Sequence, residues 1–161
     1  MRVTLLLPIL FFASAAVAAP GRDDQLKPVS LQLAATGQAA LAAGKPQDAI
    51  DSFEAALASD PRNVAAFSGI ATAYEKLGLP GKAVKYYREA LALNPSDVPA
   101  LEGQGRALVA RGATARAQIN LARIKALCKV DCGAATRLEG AIAKAMTQAS
   151  VAPVKGKTTQ E

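Results

Sequence analysis

Apolar residues recur along most of the chain at intervals of three and four, the spacing that places side chains on one face of an amphipathic helix. Two such faces lie close together in the middle of the sequence. The first is formed by Phe67, Ile70, Ala71 and Tyr74, and the second by Val84, Tyr87, Ala90 and Leu91. Gly78 and Pro80 lie between them and are typical of a helix end followed by a helix start. The pattern predicts two helices joined by a tight turn and closed by Asn94 and Pro95, with Ser96 as the N-cap of the next helix.

This arrangement returns every 34 residues, and several residue types return in register with it. The matching sets are Gly44, Gly78 and Gly112; Pro46 and Pro80; Ala49, Ala83 and Ala117; Phe53, Tyr87 and Leu121; Ala56 and Ala90; and Pro61 and Pro95. A period of this length with these residues resembles the tetratricopeptide repeat (TPR), over Ser30 to Lys129. The outer repeats depart from the pattern, because Thr36 and Gln104 replace aliphatic residues and Lys129 replaces the closing proline.

The resemblance implies an all-α fold, an α-solenoid of about three helix-turn-helix units at residues 30–63, 64–97 and 98–131. An apolar stripe that includes Leu138 and Ile142 predicts a C-terminal capping helix at residues 133–149, which together with the repeats makes a TPR domain of residues 30–149. The expected repeat core contains Phe53, Phe67, Tyr74, Ala83, Tyr87, Ala90 and Leu121. Tyr86 has no core position in this register.

The two ends of the chain differ from the repeats in composition. Arg2 precedes a short apolar run, and Ala16-Val17-Ala18 supplies a small-x-small cleavage pattern, so residues 1–18 are predicted to be a secretory signal peptide. An uncleaved membrane anchor is the alternative, and membrane contact is expected only in that case. Residues 19–29 and 150–161 contain few large apolar side chains and are predicted to be a flexible linker and a disordered tail. The expected location is extracytoplasmic, in the periplasm of a bacterial cell.

Composition argues against catalysis. The chain contains no histidine, which removes Ser-His-Asp and Cys-His arrangements and the commonest metal ligand. No other nucleophile, phosphate-binding or cofactor motif is present, so the sequence predicts a protein that is not an enzyme and that uses no cofactor or metal. The formal net charge of +6 fits an anionic partner without identifying one. The basic residues are spread over several helix faces without interleaved aromatic residues, which argues against nucleic acid as the partner.

Two cysteines, Cys128 and Cys132, lie at the predicted junction between the third repeat and the capping helix. In an exported protein, a nearby cysteine pair is expected first to form a disulfide. A redox-active pair and half of a metal site are the alternatives. The redox motif has two intervening residues rather than three, and a metal site needs further ligands.

The TPR resemblance also implies a binding surface, because the first helices of successive repeats line a concave face. Carried onto this sequence, the lining positions are Gln38, Leu41, Ser68, Thr72, Glu75, Lys76, Glu102, Arg106 and Val109. Lys76 and Arg106 are the expected charge anchors. The Lys/Arg/Asn set with which some family members hold a terminal carboxylate is not reproduced. The expected function is a scaffold or adaptor for an unidentified protein or peptide in the cell envelope. A redox role for the cysteines and an oligomeric structural role are the alternatives.

Overall fold

The computed structural model describes residues 25–128 and 132–151, and within them every regular element is a helix. The seven helices are α1 (Pro28–Ala42), α2 (Pro46–Ser59), α3 (Val64–Lys76), α4 (Pro80–Leu93), α5 (Val98–Ala110), α6 (Thr114–Leu127) and α7 (Gly133–Val151). The predicted signal peptide, most of the predicted linker and residues 152–161 of the predicted tail lie outside the described residues.

The helices pack as three consecutive pairs, α1 with α2, α3 with α4, and α5 with α6. Each predicted repeat contains one pair, and α7 packs against both α5 and α6 at the C-terminal end. The predicted all-α solenoid with a terminal helix is therefore confirmed. Within the described residues, no helix is long and apolar enough to cross a membrane.

The turn inside each pair follows the same sequence rule. Three glycines adopt a left-handed backbone conformation, with φ values of 71°, 70° and 72° at Gly44, Gly78 and Gly112. Residues with a Cβ rarely adopt this conformation, because the Cβ would clash with the backbone. Pro46 and Pro80 then begin α2 and α4, where the absence of a proline N–H costs no helical hydrogen bond. Local chemistry alone thus fixes where these helices end and begin.

The starts of α3 and α5 are capped by side chains that lie one repeat apart. The Asn63 side chain accepts a hydrogen bond from the Ala66 N–H at 3.1 Å, and the Asp97 side chain accepts one from the Ala100 N–H at 3.4 Å. The expectation that Ser96 caps α5 is wrong. Its own N–H instead donates to the side chain of Asn94 at 3.2 Å, in the turn before the cap.

Large side chains of one helix pair lie against glycines of the next pair. The ring of Phe53 lies against Gly69, and the ring of Tyr87 lies against Gly103, so a Cβ at either glycine would overlap a ring. Of the predicted core residues, four are buried, namely Phe53, Ala83, Tyr87 and Ala90. The other three pack against the core while partly exposed, namely Phe67, Tyr74 and Leu121.

Tyr86, which has no core position in the repeat register, is nevertheless part of the packing. Its ring stacks on that of Tyr74, with centroids 5.4 Å apart and an interplanar angle of 26°. The Lys82 ammonium lies 4.9 Å from the centroid of the Tyr74 ring. The Tyr86 side chain therefore extends the aromatic contact between α3 and α4 to the protein surface.

The N-terminal end of the domain begins earlier than the sequence pattern predicts. Helix α1 starts at Pro28, and residues 25–27 are tied to the α2–α3 turn. The Lys27 N–H donates to Asp60 at 3.1 Å, and the Arg62 guanidinium donates to the Gln25 carbonyl at 3.2 Å. The Arg62 side chain, followed by its backbone N–H, holds the pKa of Asp60 well below its usual range. Residues 25–29 thus belong to the folded domain and not to a flexible linker.

Candidate functional site

The first helix of each pair contributes to one open groove of about 420 Å³. We call it the first-helix groove, and it is lined by Gln38, Ala65, Ser68, Gly69, Thr72, Tyr87, Asp97, Pro99, Glu102 and Arg106. Apart from Tyr87 of α4 and the cap residue Asp97, these side chains come from α1, α3 and α5. The regular period makes this arrangement possible, because Ala65 and Pro99, like Ser68 and Glu102, occupy equivalent positions of successive repeats.

A chain of ion pairs runs along one side of the groove. Glu102 is buried, and its carboxylate accepts hydrogen bonds from Arg137 of α7 at 2.8 and 2.7 Å and from Arg106 at 3.0 Å. Arg106 also donates to Glu75 of α3 at 3.3 Å. The Arg137 hydrogen bonds, together with the Arg106 charge, lower the pKa of Glu102 although its burial alone would raise it. Two carboxylates therefore already neutralise Arg106, the one cation among the described residues that line the groove.

The phenol of Tyr87 reaches the groove from the core. Its hydroxyl donates to Glu75 at 2.7 Å and lies 3.0 Å from the Thr72 hydroxyl. Burial of the ring and the adjacent Glu75 carboxylate raise the pKa of Tyr87, so the phenol keeps its proton and remains a hydrogen-bond donor. Tyr87 thus has two roles, because its ring packs in the core and its hydroxyl orders the groove floor.

One polar atom of the groove is buried without a partner. The Ser68 hydroxyl oxygen has no hydrogen bond within the part of the chain that the structure describes. Since buried polar groups are normally hydrogen-bonded, this hydroxyl is an unsatisfied group beneath the groove surface. Asp97 at the groove edge uses one carboxylate oxygen to cap α5, and the exposed Gln38 amide lies on the opposite wall.

Five of the nine predicted lining residues line the groove, namely Gln38, Ser68, Thr72, Glu102 and Arg106. Glu75 lies beside it and holds Arg106 and the Tyr87 hydroxyl in place. The prediction for Leu41 is wrong, because this side chain is only 6% exposed and packs in the core of the first pair. Val109 also packs against the core. Lys76 is exposed at the end of α3 and is not among the lining residues of the groove.

Sequence reasoning missed the remaining groove residues and the role of Arg137. The position shared by Ala65 and Pro99, and the cap position of Asp97, could have been read from the 34-residue period. The pairing of Glu102 with Arg106 could also have been predicted, because acidic and basic residues four positions apart on a helix lie next to each other. The contact of Arg137 with Glu102 depends on how α7 packs against α5, which the local sequence does not specify.

Cys128 and Cys132 lie at disulfide distance, with their Cα atoms 5.7 Å apart, at the junction of α6 and α7. Both side chains are partly buried and pack against the core formed by the second and third helix pairs and α7. This packing favours a structural role over a redox role, because reactive thiols lie in exposed, electropositive surroundings. Among residues 25–128 and 132–151, no cluster of three or more Cys, Asp or Glu side chains is placed to hold a metal ion.

The fold and the groove together define a helical-repeat protein with an open groove along its first helices. The Tetratricopeptide repeat family matches the chain at residues 35–98 and 68–124, which together span more than half of it. The chain therefore belongs to the tetratricopeptide-repeat family. No curated protein sequence matches the chain significantly.

Solved TPR structures resemble the chain over most of its length. The first TPR of Spaghetti (RPAP3) bound to the HSP90 peptide SRMEEVD is 27% identical with a TM-score of 0.68, and the match covers 74% of this chain and 96% of that one. The first TPR domain of human RPAP3 is 26% identical with a TM-score of 0.70, covering 78% and 98%. The Sgt2 TPR domain from Aspergillus fumigatus is 24% identical with a TM-score of 0.71, covering 84% and 91%. TPR domains mediate protein–protein interaction, and the Spaghetti domain holds a peptide.

Proposed function

We propose that this protein is a non-catalytic adaptor or scaffold of the cell envelope that binds a segment of a partner protein in the first-helix groove. The observation that supports this most is the groove itself, which three repeats build from equivalent positions of their first helices. Extended surfaces of this kind are how repeat proteins bind polypeptide segments. Peptide binding by a TPR domain of similar structure supports the same function.

The chemistry of the groove favours an uncharged polar segment over an acidic one. The guanidinium of Arg106 is already paired with Glu75 and Glu102, so it offers little positive charge to a carboxylate ligand. The lining groups that remain for hydrogen bonding are the exposed Gln38 amide and the Asp97 carboxylate oxygen that does not cap α5. Such groups suit the backbone and small polar side chains of an extended or helical segment. We expect weak binding, because the guanidinium of Arg106 is already paired and Asp97 already uses one oxygen to cap α5.

Site-specific photo-crosslinking in the native envelope tests this function. A benzoylphenylalanine at Ala65, which is exposed and lines the groove, should capture a discrete partner band. The matched control is Ala92, an exposed alanine of α4 that does not line the groove. Ala65→Trp should fill the groove and abolish a crosslink formed from Thr72. A crosslink of equal strength from Ala65 and Ala92, or none from either, would exclude the groove as the binding surface.

The envelope location is part of the proposal and rests on residues 1–18 of the sequence. A short basic start, an apolar run and Ala16-Val17-Ala18 support export with cleavage after Ala18. Intact-mass measurement of the protein from a fractionated cell tests it directly. A mass that begins at Ala19 supports export, a mass that includes residues 1–18 in the membrane fraction supports the anchored alternative, and recovery from the cytoplasm contradicts both.

A further inference from the structure

A second cavity of about 440 Å³ lies at the N-terminal end of the solenoid. We call it the N-terminal pocket, and it is lined by Leu26, Leu31, Arg62, Asn63, Val64 and Ala65. Its volume falls within the range of about 300–1,000 Å³ that is common for ligand pockets. Ala65 lines both this pocket and the first-helix groove, so the two cavities are neighbours.

The polar groups around the N-terminal pocket already have partners in the protein. Asn63 is fully buried, its amide donates to Ser30 at 2.9 Å, and its side-chain oxygen accepts from the Ala66 N–H. Arg62 donates to Asp60 at 3.0 Å and to the Gln25 carbonyl at 3.2 Å. A ligand therefore gains little by hydrogen bonding to either side chain, because each bond would replace an existing one.

Apart from the exposed Arg62 side chain, which is already paired with Asp60, the surface that remains open to a ligand is apolar. Leu31 is 52% exposed, and Leu26 and Val64 are partly exposed beside it. Helix α1, which forms one wall, contains no charged residue along its whole length. A charged side chain placed here would lose its hydration without gaining an ionic partner on this helix, whereas an aliphatic side chain would bury apolar area on both sides.

We infer that the N-terminal pocket is the apolar end of the peptide-binding surface and takes one aliphatic side chain of the same segment that lies in the first-helix groove. This inference rests on the proposed function. The bound segment then has two parts, an uncharged polar stretch beside Gln38 and an aliphatic anchor against Leu31 and Val64. Ala65 is exposed and lines both cavities, so a segment that crosses this small side chain would reach from one cavity to the other.

A library of random 12-residue peptides displayed on phage, selected on the full-length protein, provides the probe. Enriched peptides should share one Leu, Ile, Val or Met next to uncharged polar residues. Replacing that residue by Ser in a synthetic enriched peptide should weaken binding about ten- to hundredfold, as expected for one buried aliphatic side chain. Leu31→Arg should weaken binding at least tenfold, and Leu31→Ser should weaken it without adding a charge.

Val29→Arg is the matched control, because Val29 lies on the same helix, is 58% exposed and does not line the pocket. It should bind enriched peptides like the wild type, and circular dichroism should show that all variants are folded. Peptides that lose affinity with the groove variant Gln38→Trp but not with Leu31→Arg or Leu31→Ser would overturn the pocket and leave the groove intact. Failure to enrich any peptide, or binding unaffected by every variant, would instead overturn the proposed function.

Discussion

Arg137 of α7 donates two hydrogen bonds to the carboxylate of Glu102 on α5, at 2.8 and 2.7 Å. The Glu102 side chain is 7% exposed, whereas that of Arg137 is 64% exposed, so the pair joins the terminal helix to a buried charge beside the groove. Such two-point contacts fix orientation as well as distance. The terminal helix thus does more than shield the last repeat from water, because it also holds a residue that lines the first-helix groove.

Replacing Glu102 by Gln should lower the free energy of unfolding by about 1–3 kcal/mol, the usual effect of losing hydrogen bonds between charged partners. Gln keeps the size of the side chain but removes its charge and leaves Arg106 and Arg137 without a shared carboxylate. Denaturant titration measures the change. Glu139→Gln is the matched control, because Glu139 pairs with Lys125 on the exposed surface and should change stability by less than about 1 kcal/mol. Equal effects of the two variants would show that the buried pair has no special role.

The carboxylates of Glu102 and Asp60 should make the folded protein less stable in acid. The Arg137 hydrogen bonds lower the pKa of Glu102 in the folded state, and those of Arg62 lower the pKa of Asp60. A lowered folded-state pKa stabilises the fold above the unfolded-state value, which is about 4 for both groups, and this stabilisation is lost as the pH falls through the folded-state value. Stability should therefore decline below about pH 4, and Glu102→Gln should reduce that decline. A wild-type curve that stays flat from pH 6 to pH 3 would contradict the prediction.

Much of the fold was readable from the sequence because it depends on local rules. The turns at Gly44, Gly78 and Gly112 and the helix starts at Pro46 and Pro80 follow from backbone preferences that need no knowledge of packing. The residues that line the groove could be predicted from the sequence only in part. A repeat register gives positions along a helix, but the side-chain direction decides between groove and core. Leu41 occupies a first-helix position and nevertheless points into the core of its own pair.

Contacts between distant elements were the least predictable. Tyr86 lies outside the repeat core positions, and its stacking on Tyr74 depends on how closely α3 and α4 approach. The apolar stripe of the capping helix predicts that Arg137 lies on its solvated outer side. Arg137 pairs with a residue 35 positions earlier because α7 packs against α5 as well as against α6.

Gly103→Ala should destabilise the protein by about 1–3 kcal/mol, the cost of overpacking a core site. A Cβ at this position would overlap the buried ring of Tyr87, which hydrogen bonds to Thr72 and Glu75 hold in place. Gly140→Ala is the matched control on α7, because the Cβ that it would add meets no atom within 4 Å beyond its chain neighbours and the adjacent backbone of its own helix. That variant should stabilise by up to about 1 kcal/mol through helix propensity alone. Thermal and denaturant unfolding of both variants measure the difference, and stabilisation by both would mean that Tyr87 does not pack against Gly103.

Reduction of the Cys128–Cys132 bond should loosen the start of α7 and leave the middle repeat unchanged. The bond closes a short loop, so its contribution should be below the typical ~3 kcal/mol for longer loops. Buried Leu138 and Ile142 and the Arg137 pair continue to hold α7 against α5 and α6. Hydrogen exchange before and after reduction should therefore show faster exchange in the first turns of α7 and no change in α3 and α4. The Cys128→Ser, Cys132→Ser variant should match the reduced protein. Free thiols in protein purified under oxidising conditions would show that Cys128 and Cys132 do not form a disulfide and would contradict the prediction.

The two cations expected from the sequence to anchor a partner should respond differently to charge reversal. Arg106 lies between Glu75 and Glu102, at 3.3 and 3.0 Å, so Arg106→Glu would place a third carboxylate beside two existing ones. We expect a loss of about 1–2 kcal/mol in the free energy of unfolding, limited because the Arg106 side chain is 44% exposed and water screens the repulsion. Lys76 is exposed at the end of α3, and Lys76→Glu should change stability by less than about 0.5 kcal/mol.

A binding defect of Arg106→Glu would therefore not distinguish lost partner contact from a disturbed groove. Arg106→Gln removes the positive charge without adding a negative one and is the better probe. If the pairing with Glu75 and Glu102 already neutralises Arg106, affinity for peptides selected on the wild type should change less than about threefold in Arg106→Gln, under 1 kcal/mol. A loss greater than tenfold by a variant that remains as stable as the wild type would show that Arg106 contacts the partner directly, as the repeat register implies.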